Sequence, residues 1–222
     1  MLTGTMEMDC TRTAAVRERA AERGAVIEPA ARLLLVRHGE TEWSRDGRHT
    51  STTDVALTAA GRAAAEGLAP ALAAWRFSTV LSSPRRRARE TASLALPGAR
   101  VEVIEDLAEW DYGEYEGLTT QAIRRERDPA WDLWREGCPG GESPAQVGAR
   151  ADRAMAAATR AGGDAACFAH GHVLRVLAAR WLGLQPEGGA LLALDTASLS
   201  VLGHEHGRRV LSLWNARAAR TA

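Results

Sequence analysis

The stretch Leu33-Leu34-Leu35-Val36-Arg37-His38-Gly39 decides the fold. Its apolar part is too short for a helix and shows no alternation of apolar with polar residues. A short continuous apolar run of this kind is what a strand buried on both faces requires. It ends abruptly on a polar turn carrying a histidine and a glycine. A second run, Ala165-Ala166-Cys167-Phe168-Ala169, ends in the same way at His170-Gly171-His172.

Outward from these runs, the chain alternates strand and helix signals. Thr58 is a good N-cap for an Ala-rich helix running towards Ala74, and Ser78–Ser82 reads as a strand. Pro84 suits the first turn of a helix continuing to about Leu96. A strand is expected over Val101–Ile104. Turns around Gly113 and Gly117 and short helices carrying Trp131 and Trp134 follow. Ser143 caps a helix that has Pro144 at its first position and reaches about Ala161. After the run at 165–169 come a helix from Val173 to Leu182 and two strands, 198–202 and 209–214, pairing as an antiparallel edge. The pattern predicts an α/β fold, a three-layer α/β/α sandwich around a mostly parallel sheet.

Residues 1–30 read as a loosely held N-terminal extension, with a surface helix over Thr13–Arg23 ended by Pro29. Residues 31–222 form the catalytic domain, and a chain of 222 residues suits one such domain. Lys+Arg and Asp+Glu both number 28, so charge alone suggests no nucleic-acid or membrane partner. Every fixed cation is arginine, because the chain contains no lysine. That excludes a P-loop lysine and Schiff-base chemistry, and it leaves the residue best shaped to grip phosphate oxygens in pairs. The three cysteines, Cys10, Cys138 and Cys167, are odd in number and widely spaced, which argues against zinc and a disulfide framework. No apolar signal core or membrane-length run is seen, and the cytoplasm is the expected location. No metal and no cofactor are expected, and homo-oligomerisation is left open.

In an open α/β sheet, ligands bind beyond the carboxyl ends of the strands. If the two central strands are parallel, His38 and His170 meet there, with glycines that let the backbone turn and approach a ligand. A phosphoryl centre needs an in-line nucleophile, cations for its equatorial oxygens and an acid for the leaving oxygen. A neutral histidine can be that nucleophile without a base to activate it. Arg37 stands beside it. Ser83-Pro84-Arg85-Arg86-Arg87-Ala88-Arg89 opens a helix whose N-terminus favours an anion, with one or two arginines facing the rim. Among Glu105, Asp106, Glu109, Asp111, Glu114 and Glu116, one carboxylate can serve as the proton donor. Taken singly, a strand-end histidine is more often a turn residue and an arginine run a solvated face. The combination carries the reading.

Leu35-Val36-Arg37-His38-Gly39-Glu40-Thr41 resembles the signature of the histidine phosphatase superfamily, the phosphoglycerate mutase-like branch 1. The segments 83–92, 107–117 and 168–172 resemble its arginine helix, acid loop and second histidine motif. The likeness spans about 32–214, and its details are similar to the sedoheptulose-bisphosphatase and bacterial acid-phosphatase group. It implies that His38 becomes phosphorylated, that Arg37, Arg87 and His170 hold the phosphoryl group, and that Glu109 is the acid and then the base. It also implies that Ser44, Thr50 and Ser51 line the substrate side with Tyr112, His172 and Arg175. Ser44, Ser51 and Ala108 depart from residues common in the family. The expected activity is hydrolysis of a small phosphate ester, a sugar phosphate or bisphosphate. The alternatives are a phosphoglycerate mutase-type phosphotransferase and a non-catalytic phospho-ligand binding or regulatory protein. Thr119–Gly141 lacks the basic, proline-rich insertion similar to that of mutases, which favours hydrolysis.

Overall fold

A computed structural model describes residues 31–217 of the chain; the helix expected at Thr13–Arg23 lies outside them. Six strands form one sheet: β1 (Leu33–Arg37), β2 (Phe77–Ser82), β3 (Glu102–Val103), β4 (Asp164–Ala169), β5 (Ser198–Glu205) and β6 (Arg208–Arg217), in the order β3-β2-β4-β1-β5-β6. The pairs β1–β4, β2–β4 and β2–β3 are parallel; β1–β5 and β5–β6 are antiparallel. Eight helices are described: α1 (Glu42–Arg45), α2 (Ala59–Glu66), α3 (Ala69–Leu72), α4 (Arg86–Ala95), α5 (Thr120–Glu126), α6 (Leu133–Glu136), α7 (Pro144–Thr159) and α8 (Gly171–Trp181).

The apolar run of β1 has its physical reason here. Leu33 and Leu35 pack into one core with Ala165, Cys167 and the apolar faces of α7 and α8. Leu34 and Val36 point the other way, into a core with Ala166, Phe168, Leu68 and Leu72. Successive side chains of a strand point to opposite faces, so a strand covered on both sides must be apolar at every position. All four are at most 1 % exposed, and truncating one such side chain to alanine costs about 2–5 kcal/mol. The architecture is the expected three-layer α/β/α sandwich.

Several boundaries differ from the expectation. The helix after Thr58 ends at Glu66, with Gly67 as its cap, and restarts as α3 with Pro70 in its first turn. A proline cannot continue the helix behind it. Pro84 lies outside α4, which is capped by Arg85. The strand expected over Val101–Ile104 shortens to two exposed edge residues. Trp131 precedes α6 rather than lying in it. The cap at Ser143 forms a full capping box with Gln146. The antiparallel edge β5–β6 forms as predicted.

Because β1, β2 and β4 run parallel, their carboxyl ends reach one rim. Arg37 pairs with Ala169 and Ser82 with Phe168. The next residues continue the ladder: His38 N–H donates to the Ala169 carbonyl (3.0 Å) and Ser83 N–H to the Phe168 carbonyl (2.9 Å). The register alone therefore places His38, Ser83 and His170 side by side.

Candidate active site

The His38 and His170 rings lie edge to face, with centroids 5.1 Å apart. His38 Nδ1 is 2.7 Å from the Gly39 carbonyl. A carbonyl only accepts, so Nδ1 carries the proton and Nε2 keeps its lone pair. Burial first, then the positive charges of Arg87 and Arg37, hold the imidazole well below its ordinary pKa and therefore neutral. His170 is also neutral, for the same first cause followed by Arg87 and His38. Arg87 Nε donates to His170 Nδ1 (3.2 Å), which leaves His170 Nε2–H to donate to Ser83 Oγ (2.7 Å).

A cavity of about 240 Å³ opens on the rim, lined among others by Arg37, His38, Glu109, Tyr112, His172 and Arg175. The Arg37 guanidinium donates to the Leu194 carbonyl through Nη1, while its buried Nε has no partner among the described residues. Buried donors are rarely left unpaired, so this N–H invites a ligand oxygen. Glu109 is held by backbone: Oε1 accepts the N–H groups of Trp110 (2.8 Å) and Val173 (2.9 Å), and Oε2 that of His172 (3.0 Å). The donors from 172 and 173 are free N–H groups of the first turn of α8, which suits a carboxylate.

This corrects two expectations. The helix N-terminus that seats Glu109 is that of α8, while that of the arginine helix α4 is already taken by a carboxylate of the chain itself. In α4 the Arg86 N–H is taken by Asp54 (2.9 Å) and the preceding Arg85 N–H lies 3.3 Å from Ser83 Oγ. The glycines after the histidines also serve packing rather than ligand approach. A Cβ on Gly39 would lie 2.3 Å from the Gly61 carbonyl oxygen, and one on Gly171 would press on the Arg37 guanidinium at 3.3 Å.

The other candidates divide. Arg87 and His170 are 0 % exposed and stand behind His38 rather than on the cavity wall. Ser51 is likewise off the wall; its hydroxyl donates to the Glu109 carbonyl (3.3 Å), so direct lining by Ser51 is not what this geometry provides. Ser44 and Thr50 line the cavity, but the Ser44 hydroxyl is used in a capping box with Thr41 and that of Thr50 donates to the Arg48 carbonyl. Tyr112 Oη lies 2.6 Å from His172 Nδ1. Burial and the nearby Glu109 keep the phenol protonated. Arg175 lies over the Trp134 ring at 4.4 Å and donates to the Gly189 and Ala190 carbonyls.

The sequence named none of Arg48, His49, Ser83 and Thr120 as a site residue. His49 is buried against Tyr112 and Trp131 and lines the cavity with Arg48 and Thr120. Its nearness in sequence to the rim loop after His38 is the one signal that could have found it. Ser83 accepts from His170 Nε2–H, a contact between distant chain segments that no local pattern encodes. Among the described residues no group of three His, Cys, Asp or Glu side chains is arranged to hold a metal ion, and no helix is long and apolar enough to cross a membrane.

Four buried histidines make stability depend on pH. Those at 38, 49, 170 and 172 all have lowered pKa values, first through burial; His49 falls from 6.5 to about 4. A depressed histidine takes up a proton on unfolding, so the unfolded state binds more protons between the folded and unfolded values. Stability then rises with pH across that window and is lost as pH falls through it. Glu142, a carboxylate with a lowered pKa, acts below its ordinary 4.5, which leaves the interval from about 4.5 to 6.5 to the histidines. The unfolding temperature is expected to drop steadily as pH is lowered from 6.5 towards 4.5. His49 alone contributes up to about 3 kcal/mol over its full window. A flat profile in calorimetry would contradict the neutral-histidine cluster.

A family model described as the histidine phosphatase superfamily (branch 1) matches residues 33–217. The chain is 49% identical over 187 residues to an acid phosphatase of Mycobacterium tuberculosis, covering 82% of this chain and 91% of that protein. It is 37% identical over 186 residues to sedoheptulose 1,7-bisphosphatase of Saccharomyces cerevisiae, covering 69% and 68%. Among solved structures, a mycobacterial glucosyl-3-phosphoglycerate phosphatase in complex with VO3 superposes with a TM-score of 0.76 at 30% identity, covering 84% of this chain and 100% of that one.

Proposed function

This chain belongs to the histidine phosphatase superfamily, branch 1, and from that premise we propose that it hydrolyses a small phosphate ester, a sugar phosphate or bisphosphate, through a phosphohistidine at His38. The carrying observation is the His38 imidazole. It is neutral, protonated on Nδ1, and lines one cavity with Arg37 and Glu109.

In the first step His38 Nε2 attacks phosphorus as the bond to the leaving oxygen breaks. Glu109, entering this step protonated, passes its proton to that oxygen. In the second step the Glu109 carboxylate takes a proton from a water molecule as the water attacks phosphorus. The P–N bond breaks and its electron pair returns to Nε2. Arg37 meets the charge on the equatorial oxygens. Arg87 adds positive charge behind the nucleophile, and the neutral His170 is hydrogen-bonded to it there. Four of the five Arg87 N–H groups serve His170 and the carbonyls of Thr50, Ser51 and Thr53, which leaves one Nη1 N–H for a phosphoryl oxygen.

The cavity size supports a small substrate, because about 240 Å³ lies below the roughly 300–1,000 Å³ usual for ligand pockets. The neutral wall of Tyr112, His49 and His172 suits hydroxyl groups. Relatives named as phosphatases support net hydrolysis. The test is phosphate release from sugar monophosphates, sugar bisphosphates and 3-phosphoglycerate with a chelator present. Release from a sugar ester, unchanged by the chelator, is expected. Isomerised phosphoglycerate without release would replace hydrolysis by mutase chemistry, and activity lost to chelator and restored by a metal would sink the histidine-only mechanism.

A further inference from the structure

The acid loop and Arg87 communicate through a short piece of backbone, residues 50–54. The Glu116 carboxylate accepts the Ser51 N–H on both oxygens (3.0 and 2.9 Å) and the Thr53 N–H on one of them (3.0 Å). Carbonyls of the same segment serve the guanidinium. Arg87 Nη2 donates to the oxygens of Thr50 (2.9 Å) and Ser51 (3.4 Å), and Nη1 to that of Thr53 (3.1 Å). The peptide between Thr50 and Ser51 is polarised from both ends, by the carboxylate at its N–H and the guanidinium at its C=O, and such a chain reinforces itself.

Other bonds fasten this segment to the acid loop. His49 N–H donates to the Leu118 carbonyl (2.9 Å), and Gly117 N–H donates to the His49 carbonyl (2.8 Å). Glu116 itself stands outside the cavity wall and has no ion pair among the described residues. Glu109 lines the cavity and Glu116 does not, so Glu116 is out of reach of the reacting atoms.

We propose that Glu116 is a positioning residue. Through residues 50–53 it holds the Arg87 fork, and through Arg87 Nε it holds His170, behind the His38 nucleophile. The inference rests on the phosphatase reading for what the fork holds.

The test is a double-mutant cycle over wild type, Glu116→Ala, Arg87→Ala and the double variant. It is read as the dissociation constant of inorganic phosphate by calorimetry and as kcat/KM on the preferred ester. Glu116→Ala is expected to weaken phosphate binding and to lower kcat/KM by about 10–100-fold, since displacing a gripping group by about 1 Å costs on that order. In the Arg87→Ala background the same change should cost less than about twofold, because its route is already cut. Equal losses in both backgrounds, or no loss in either, would overturn the proposal. Should the alanine variant fail to fold, Glu116→Asp, one methylene short of reach, takes its place. Glu116→Gln keeps one oxygen for the Ser51 and Thr53 N–H groups but turns its amide towards Ser51 N–H, so it should recover only part of the affinity lost in the alanine variant; a loss as deep as alanine's would overturn the hydrogen-bonding route. Phosphate binding needs no turnover. A wild type that binds phosphate but cleaves no ester would sink the phosphatase reading while the cycle still decides the role of Glu116, and a wild type that binds no phosphate would overturn both.

Discussion

His38→Ala is expected to lower kcat/KM by about 10⁴-fold or more, because removing a covalent nucleophile leaves only the binding contribution to catalysis. The structure makes the loss specific to chemistry. Arg37 is held by the Leu194 carbonyl, Arg87 by residues 50–53 and Glu109 by α8, so none of them depends on the imidazole. Inorganic phosphate should therefore bind the variant within about tenfold of wild type, the electrostatic cradle being intact. Steady-state kinetics with calorimetry on the same preparation checks both parts. Turnover retained within tenfold would remove His38 from the nucleophile's role.

Glu109→Gln carries the second large effect. General acid–base catalysis contributes about 10²–10⁴-fold, and Glu109 is assigned both proton transfers. Glutamine can keep one oxygen for the Trp110 and Val173 N–H groups, but its amide then meets the His172 N–H donor to donor. A stability cost of about 1–3 kcal/mol is expected from that conflict, well short of unfolding a domain of this size. The loss of kcat should depend on the leaving group. An alkyl phosphate needs a proton on its departing oxygen and should show the full loss. A nitrophenyl phosphate leaves readily as its anion and should lose less in the first step. The phosphohistidine would then persist, because the water that cleaves it lacks a base. Equal losses on both substrate types would place Glu109 outside the proton path.

The strands at 33–37 and 164–169 were legible because burial on both faces leaves no freedom in composition, and their shared histidine–glycine ending placed the rim. The N-caps at Thr58, Thr119, Asp132 and Ser143 act within two or three residues, and two of them, Thr58 and Ser143, were read from that local signal. The early end of α2 was readable too, since Gly67 and Pro70 sit in its path; alanine propensity outweighed them in the reading. What was not legible lies in long-range contacts. The bond from His170 to Ser83 spans 87 positions. The seating of Glu109 on α8 spans 63 and 64. Residue pattern alone shows six carboxylates in an acidic loop and does not separate them; only the resemblance pointed to Glu109. Likewise, Arg86, Arg87 and Arg89 differ in the sequence only in helical phase; the resemblance pointed to Arg87, which is turned inward to 0 % exposure.

The central claim is a covalent phosphoryl group on His38. Glu109→Gln, mixed rapidly with an activated phosphate ester and quenched in alkali, should give intact protein heavier by one phosphoryl group. Peptide mapping should place that group on His38, and the adduct should be lost in acid. A protein that releases phosphate from the same ester with no adduct at any quench time, or with the adduct on another residue, would contradict the account.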